Sequence, residues 1–169
     1  MEVVQLLKTE FEFASYVGLQ RTSTRMYSGS SHTYGADTAK GLFDTNLGGA
    51  IAEYAVSKYI GCYWSMQPDS MRVPDVGNLI EVRSTPHSDG VLRMHERDKD
   101  NLPYVLALTH DLPNVHLVGW IVGKDGKSQQ YWGDKWSNGR PAFWVPQTGL
   151  LPMEQLKTRY WAWANKKGA

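Results

Sequence analysis

Three acidic residues and one arginine in the first half of the chain could bind a divalent cation next to a phosphate. Asp75 follows Pro74, Glu81 comes six residues later, Arg83 stands two positions after Glu81, and Glu53 precedes them all. Hard cations such as Mg²⁺ prefer oxygen ligands, and a bound cation lowers the pKa of water and neutralises charge that builds on a phosphate. We therefore expect a Mg²⁺ or Mn²⁺ site suited to phosphodiester hydrolysis.

These side chains can meet only if the segments that carry them are neighbours. We expect Asp75 at the end of one strand and Glu81 at the start of the next, joined by a turn at residues 77–78. The Val82 carbonyl oxygen would then point toward the same place as a third ligand. Because side chains alternate along a strand, Arg83 shares a face with Glu81 and brings a cation toward the phosphate.

The clearest helix in the sequence carries Glu53. Its pattern predicts a start near Asn46 as the capping residue, an end at Ile60, and Gly61 as the stop signal. Glu53 lies beside the apolar stripe of this helix, which favours a partly buried position over that of an ordinary solvated glutamate. The stripe consists of Ile51, Tyr54, Ala55 and Tyr59.

The segments around this helix predict a mixture of strands and helices. Residues 2–27 form a helical or irregular arm within an amino-terminal region of about 1–45, and residues 28–41 form a flexible surface loop. The predicted strands cover 62–66, 71–77, 79–85, 91–95, 104–109 and 117–122; a hairpin turn at 124–127 leads to 129–132, and a last helix covers 153–167. We therefore expect one α/β or α+β domain over residues 1–169.

The order of the acidic residues resembles the motif of the PD-(D/E)xK nuclease superfamily, a helix glutamate followed by Pro-Asp and then by Glu-x-Lys on adjoining strands. The match consists of Glu53, Pro74-Asp75 and Glu81-Val82-Arg83, and it covers roughly residues 46–85. The resemblance implies a restriction-endonuclease-like core with a central mixed β-sheet flanked by helices. It also implies that Glu53, Asp75 and Glu81 hold Mg²⁺ and that the protein cleaves nucleic acid, DNA rather than RNA. A phage or prophage origin is implied as well, and so is a homodimer if the protein cuts both strands of a duplex.

One residue departs from the family pattern. Arg83 stands where the family has lysine, and a guanidinium stays protonated at any working pH, so it cannot accept a proton from the attacking water. Arg83 could still bind the phosphate and stabilise transition-state charge. Three interpretations therefore stay open: a metal-dependent nuclease, a catalytically impaired relative that binds nucleic acid or a protein, and an interaction module based on exposed aromatic residues.

Several further cations and histidines are candidates for contacts with nucleic acid. Two of them precede the serine-rich loop, and three lie on or just before the predicted strand 91–95. The last two alternate with aromatic residues near the carboxyl end, and such a mixture of aromatic and cationic side chains can stack on bases and bind a phosphate backbone. The candidates are Arg21, Arg25, His87, Arg93, His95, Lys157 and Arg159. In the alternative interpretation, the aromatic residues pack on the sheet and the cations form a solvated face.

The composition limits the classes of protein to which this chain can belong. Its 169 residues carry 18 Lys and Arg against 17 Asp and Glu, a formal charge of +1, which excludes a polycation and requires a local patch for any binding to nucleic acid. A single cysteine, Cys62, excludes an internal disulfide and a cysteine-based zinc site. No apolar stretch approaches the roughly 18 residues of a membrane span, and no signal peptide is recognisable. We therefore expect a cytoplasmic protein without membrane contact, which would lie in the host cytoplasm if a phage encodes it.

Overall fold

The chain is built around a four-stranded mixed sheet. The computed structural model describes residues 1–28, 39–66, 73–135 and 139–167. The elements are β1 (Glu2–Gln5), α1 (Lys8–Ser28), α2 (Ala39–Ile60), β2 (Glu81–Thr85), β3 (Leu92–Met94), β4 (Pro103–Asp111), β5 (Asn114–Val122), α3 (Gly123–Gly126), β6 (Trp132–Gly133), β7 (Ala142–Val145) and α4 (Met153–Lys167). The central sheet has the order β1-β5-β4-β2, in which β2 runs parallel to β4 and the other pairs are antiparallel. This arrangement confirms the predicted α+β class with a mixed central sheet flanked by helices.

Two cores lie on the two faces of the central sheet. Strand β4 shows the division, because Val105 and Ala107 pack into the core formed with the helices, whereas Tyr104, Leu106 and Leu108 pack into a second core. The second core is covered by a three-stranded sheet of order β3-β7-β6, which we call the small sheet. Since β4 is buried on both faces, its sequence is a nearly continuous apolar run.

Helices α1 and α2 form an antiparallel pair in close contact. Lys58 binds Glu10 at one end of the pair, and Asn46 donates a hydrogen bond to Thr22 at the other. A Cβ on Gly18 would lie 2.7 Å from the Cα of Leu47, so the helices can approach this closely only because residue 18 has no side chain.

The amino-terminal region is more regular than the sequence predicts. Strand β1 and the continuous helix α1 replace the predicted arm, and α2 begins at Ala39 rather than near Asn46. Asn46 is buried and binds Thr22 instead of capping a helix. Of the predicted loop 28–41, residues 29–38 lie outside the described residues, and Ser28 and residues 39–41 are helical. The predicted end of α2 is confirmed, with Gly61 at a positive φ of 81°.

Two predicted strands and the predicted hairpin are wrong. The described parts of 62–66 and 71–77 contain only isolated bridges, Trp64 to Val76 and Val76 to Ile80, and residues 67–72 lie outside the described residues. At 124–127 the chain forms α3, whose Gly123 lies against the Lys99 carbonyl, and the following strand β6 pairs with β7 rather than with β5. Helix α4 is confirmed over 153–167.

Candidate functional site

A cleft of about 910 Å³ opens beside the free edge of β2. Residues from α1, α2, β2 and the small sheet line it, so it is bounded by both layers that cover the central sheet. Its acidic residues are Glu53, Asp75, Glu81, Asp89 and Asp98, and its lysines and arginines are Arg21, Arg25, Arg83, Arg93, Arg97, Lys99 and Lys135. Seven cationic and five acidic side chains therefore share one concave surface, which leaves a formal excess of two positive charges.

Asp75 is held inside the cleft by the edge of β2. Its Oδ2 accepts a hydrogen bond of 2.8 Å from the Val82 backbone N–H, on the side of β2 where none of the strands in the described residues pairs with it. The N–H and C=O of a strand residue point to the same side, so the Val82 carbonyl also faces the cleft. The predicted convergence of Asp75, Glu81 and the Val82 carbonyl is therefore present.

The turn between Asp75 and Glu81 makes this convergence possible. Val76 and Ile80 exchange two backbone hydrogen bonds of 3.0 Å, and Gly77 and Asn78 between them both adopt φ of 57°. Glycine and asparagine are the residues that tolerate this left-handed conformation best. A Cβ on Gly77 would also collide with the Tyr160 hydroxyl, so α4 helps to fix the turn.

The carboxyl groups of Asp75 and Glu81, which we call the carboxylate pair, are held where negative charge is costly. Burial, followed by the negative charges of Glu53 and Glu81, raises the pKa of Asp75 to about 8. Burial also raises the pKa of Glu81, and the positive charge of Arg83 opposes that rise. Negative charge at this pair is therefore unfavourable in the folded protein.

Arg83 shares a face with Glu81 as predicted, but it is already held by carboxylates. Its guanidinium lies 3.6 Å from Glu81 Oε2 and 3.2 Å from Asp98 Oδ1, and it stacks 5.3 Å above the Tyr104 ring. Arg83 also donates a weak hydrogen bond of 3.4 Å to the Val82 carbonyl. These contacts fix Arg83 at the cleft next to the carboxylate pair.

Glu53 and Arg21 form a buried ion pair, which differs from both predicted roles. Arg21 donates bonds of 2.6 and 2.7 Å to the two carboxylate oxygens of Glu53, and Trp64 Nε1 donates a third of 2.8 Å. Both partners are less than a tenth exposed. Glu53 therefore anchors α1 to α2 and adds negative charge near Asp75 instead of presenting free oxygens to a metal. Arg21 likewise reaches the cleft with its charge already compensated.

The remaining predicted contacts divide into two groups. Arg25, His87, Arg93 and His95 line the cleft. Lys157 and Arg159 extend from α4 and do not line the cleft, so the structure does not bring them together with the other candidates. Lys157 lies 5.0 Å from the Tyr59 ring of α2, and Arg159 lies 5.4 Å from the Trp120 ring of β5.

Several cleft residues escaped the sequence analysis. Asp98 binds Arg83 through one oxygen and the His95 backbone N–H through the other, at 2.9 Å. Lys127 holds the same loop by donating to the carbonyls of Glu96 and Asp98. The run of charged residues at 95–100, directly after a predicted strand that carries Arg93, is the signal that could have identified this loop. Arg97, Lys99, Lys135 and Trp144 were also missed.

Within residues 1–28, 39–66, 73–135 and 139–167, no group of three His, Cys, Asp or Glu side chains is placed to hold a metal ion. Glu53 does not join such a group, because its carboxylate oxygens accept hydrogen bonds from Arg21 and Trp64. Of the predicted ligands, Asp75 and Glu81 line the cleft together with Val82.

Comparisons of the chain with known protein families, with curated proteins and with solved structures found no match. Among the described residues, no helix is both long and apolar enough to cross a membrane.

Proposed function

We propose that this protein is a Mg²⁺-dependent nuclease of the PD-(D/E)xK type that hydrolyses phosphodiester bonds, with DNA as the preferred substrate. The observation that carries the proposal is the carboxylate pair inside a cleft lined by arginines and lysines. Burial raises the pKa of both acids, neighbouring negative charges add to that rise, and a divalent cation would relieve the cost. The surrounding cations suit a polyanionic substrate.

The donors present fit a hard divalent cation. Asp75 and Glu81 would hold it with the Val82 carbonyl, all of them oxygen ligands of the kind that Mg²⁺ prefers. When bound, Mg²⁺ supplies Lewis-acid chemistry, which lowers the pKa of water and neutralises charge on the phosphate. Glu53 stays bound to Arg21, so the cation site depends on two acidic side chains rather than on the three that the motif implies.

The protein's own residues would orient the substrate. Arg83, fixed by Glu81 and Asp98, presents a permanent positive charge beside the carboxylate pair, where it can stabilise charge that develops on the phosphate. It cannot act as a base. The other cleft cations would bind the flanking phosphates and position the strand.

Cleavage of labelled DNA and RNA in Mg²⁺, Mn²⁺ or chelator tests the proposal. We expect cleavage with either metal and none in chelator. Asp75→Asn and Glu81→Gln should each lower the rate by about 100-fold or more while the fold is kept, because each removes one charged ligand without changing the side-chain shape. Asp125→Asn, at an exposed acid in α3, is the matched control and should leave the rate unchanged. Equal rates in all three variants would contradict the assignment.

A second candidate function is binding without cleavage. It is favoured by the way Arg83, in place of the family's lysine, is engaged by two carboxylates and an aromatic ring. In that case nucleic acid would bind in chelator, no metal would support cleavage, and Arg83→Lys would restore some activity by returning an ionisable amine to this position.

A further inference from the structure

Asp98 lies outside the sequence motif, yet it binds the arginine of that motif. Arg83 Nη2 donates a 3.2 Å hydrogen bond to Asp98 Oδ1, and the Asp98 side chain is only 8% exposed. Arg83 Nη1 lies 3.6 Å from Glu81 Oε2, which is longer than a hydrogen bond. Of these two carboxylates, Asp98 is therefore the one that accepts a hydrogen bond from Arg83.

The loop that carries Asp98 is held by bonds to several elements. Lys127, just after α3, donates a 2.7 Å hydrogen bond to the Asp98 carbonyl. The Tyr104 hydroxyl on β4 accepts a 2.8 Å bond from the Lys99 N–H, and the second carboxylate oxygen of Asp98 accepts the His95 N–H at 2.9 Å. These bonds fix the place at which Asp98 meets the guanidinium.

The position of Arg83 bears on whether Glu81 can ligate a cation. Side chains two residues apart on a strand point to the same face, about 7 Å apart, so an arginine at 83 can fold onto a glutamate at 81. A guanidinium in direct contact with a carboxylate donates two parallel hydrogen bonds, which occupy both oxygens. Since a divalent cation needs the same oxygens, Arg83 in that position would compete with the cation for Glu81.

We infer that Asp98 is a positioning residue that keeps the Arg83 guanidinium off Glu81 and so leaves Glu81 to ligate the divalent cation. Asp98 acts through Arg83 and is not itself a ligand. This inference rests on the cation site of the proposed function, but it concerns the binding of the cation and requires no cleavage.

Mn²⁺ binding without nucleic acid tests the inference. Electron paramagnetic resonance measures free Mn²⁺ at constant pH with wild type, Asp98→Asn, Arg83→Gln and the double variant Asp98→Asn/Arg83→Gln. Asparagine has one acceptor oxygen for two donors and no charge, so it cannot bind both Arg83 and the His95 N–H. Asp100→Asn is the matched control, because Asp100 is an exposed acid of the same loop that does not line the cleft.

We expect Asp98→Asn to weaken Mn²⁺ binding about tenfold or more, as is usual when a residue that orients the ligands of a metal is lost. Asp100→Asn should leave the affinity unchanged. Arg83→Gln removes a positive charge and should strengthen binding, but about tenfold more in the Asp98→Asn background, where the guanidinium can reach Glu81. A purely electrostatic or structural effect of Asp98 would instead add to that of Arg83, so the difference between the two backgrounds identifies the positioning role.

Three results would overturn the inference: an equal effect of Arg83→Gln in both backgrounds, wild-type affinity in Asp98→Asn, or no Mn²⁺ binding by wild type. Failure of the proposed function has a different sign, namely Mn²⁺ binding that depends on Asp98 without cleavage of DNA or RNA. Thermal melts check that each variant is folded. If Asp98→Asn does not fold, Asp98→Ser replaces it, because the serine hydroxyl can accept the His95 N–H and is too short to hold Arg83.

Discussion

At the scale of single residues, Asp75 combines a structural contact with a charge that the surrounding protein disfavours. Its carboxylate accepts the Val82 N–H, yet burial and the neighbouring acids raise its pKa to about 8. A raised pKa means that the folded protein binds the proton more tightly than the unfolded chain does. The stability from this proton is fully present below the unfolded pKa near 4 and is lost as the pH rises toward 8.

In chelator, wild type should therefore lose stability between about pH 4 and pH 8, and Asp75→Asn should remove much of that loss. Asparagine keeps the acceptor for Val82 and carries no charge, so we expect the variant to be more stable than wild type at pH 8, by up to a few kcal/mol. Thermal melts at several pH values measure the difference. Added Mg²⁺ should raise the melting temperature of wild type at pH 8 and leave the variant unchanged, and identical pH profiles would contradict the expectation.

The ion pair of Arg21 and Glu53 predicts a large cost when one partner is removed. Both side chains are buried, so Glu53→Gln leaves a guanidinium without its counter-charge, and we expect a loss of about 3–5 kcal/mol in the free energy of unfolding. The exposed pair of Lys8 and Glu12 is the control, and Glu12→Gln should change stability by less than about 1 kcal/mol. Urea denaturation measures both, and similar small values would show that the buried pair is unimportant.

At the scale of elements, the close approach of α1 and α2 depends on Gly18. A Cβ there would meet the backbone of Leu47 at 2.7 Å, whereas a Cβ on Gly49 of α2 would meet nothing within 4 Å. We expect Gly18→Ala to destabilise the protein by about 1–3 kcal/mol through overpacking. Gly49→Ala should stabilise it by about 0.5–1 kcal/mol, because alanine is the better helix former. If Gly18→Ala and Gly49→Ala shifted the denaturation midpoint in the same direction, this explanation of the close approach of α1 and α2 would be wrong.

The sequence predicts well those residues of the candidate site that lie close together along the chain. Asp75, Glu81 and Arg83 lie within nine residues of one another, so a turn and the alternation of a strand suffice to bring them together. The same locality explains why strands β2, β4 and β5 and helix α4 were predicted close to their actual positions.

The residues of the site that come from distant segments of the chain could not be predicted from the sequence. Asp98 meets Arg83 and Trp144 meets Arg93 through long-range packing that has no local signal. Glu53 illustrates the same limit, because its position in α2 was predicted but its partner Arg21, 32 residues earlier, was not. The hairpin predicted at 124–127 failed for a related reason: the turn residues are present, but packing against Lys99 and Lys127's bonds to the 95–100 loop favour a short helix.

At the scale of the whole molecule, a chain with a formal charge of +1 presents a cleft lined by seven arginines and lysines and five acidic residues. The helices provide one wall and the small sheet the other, so the carboxylate pair at the edge of β2 lies between two sources of positive charge. Net charge therefore gives little information about the partner of this protein. Local charge governs association with a polyanion, and its effect should weaken as salt is added.

The position of Asp75 at the margin of the central sheet also bears on self-association. An edge strand with unpaired N–H and C=O groups is a template for pairing with a strand of another molecule. By occupying the Val82 N–H, the Asp75 carboxylate blocks the start of such a ladder, and the turn that carries it covers the same margin. The residue proposed to ligate the cation thus also occupies an edge N–H that could otherwise pair with another strand, and alanine at this position would remove both contacts at once.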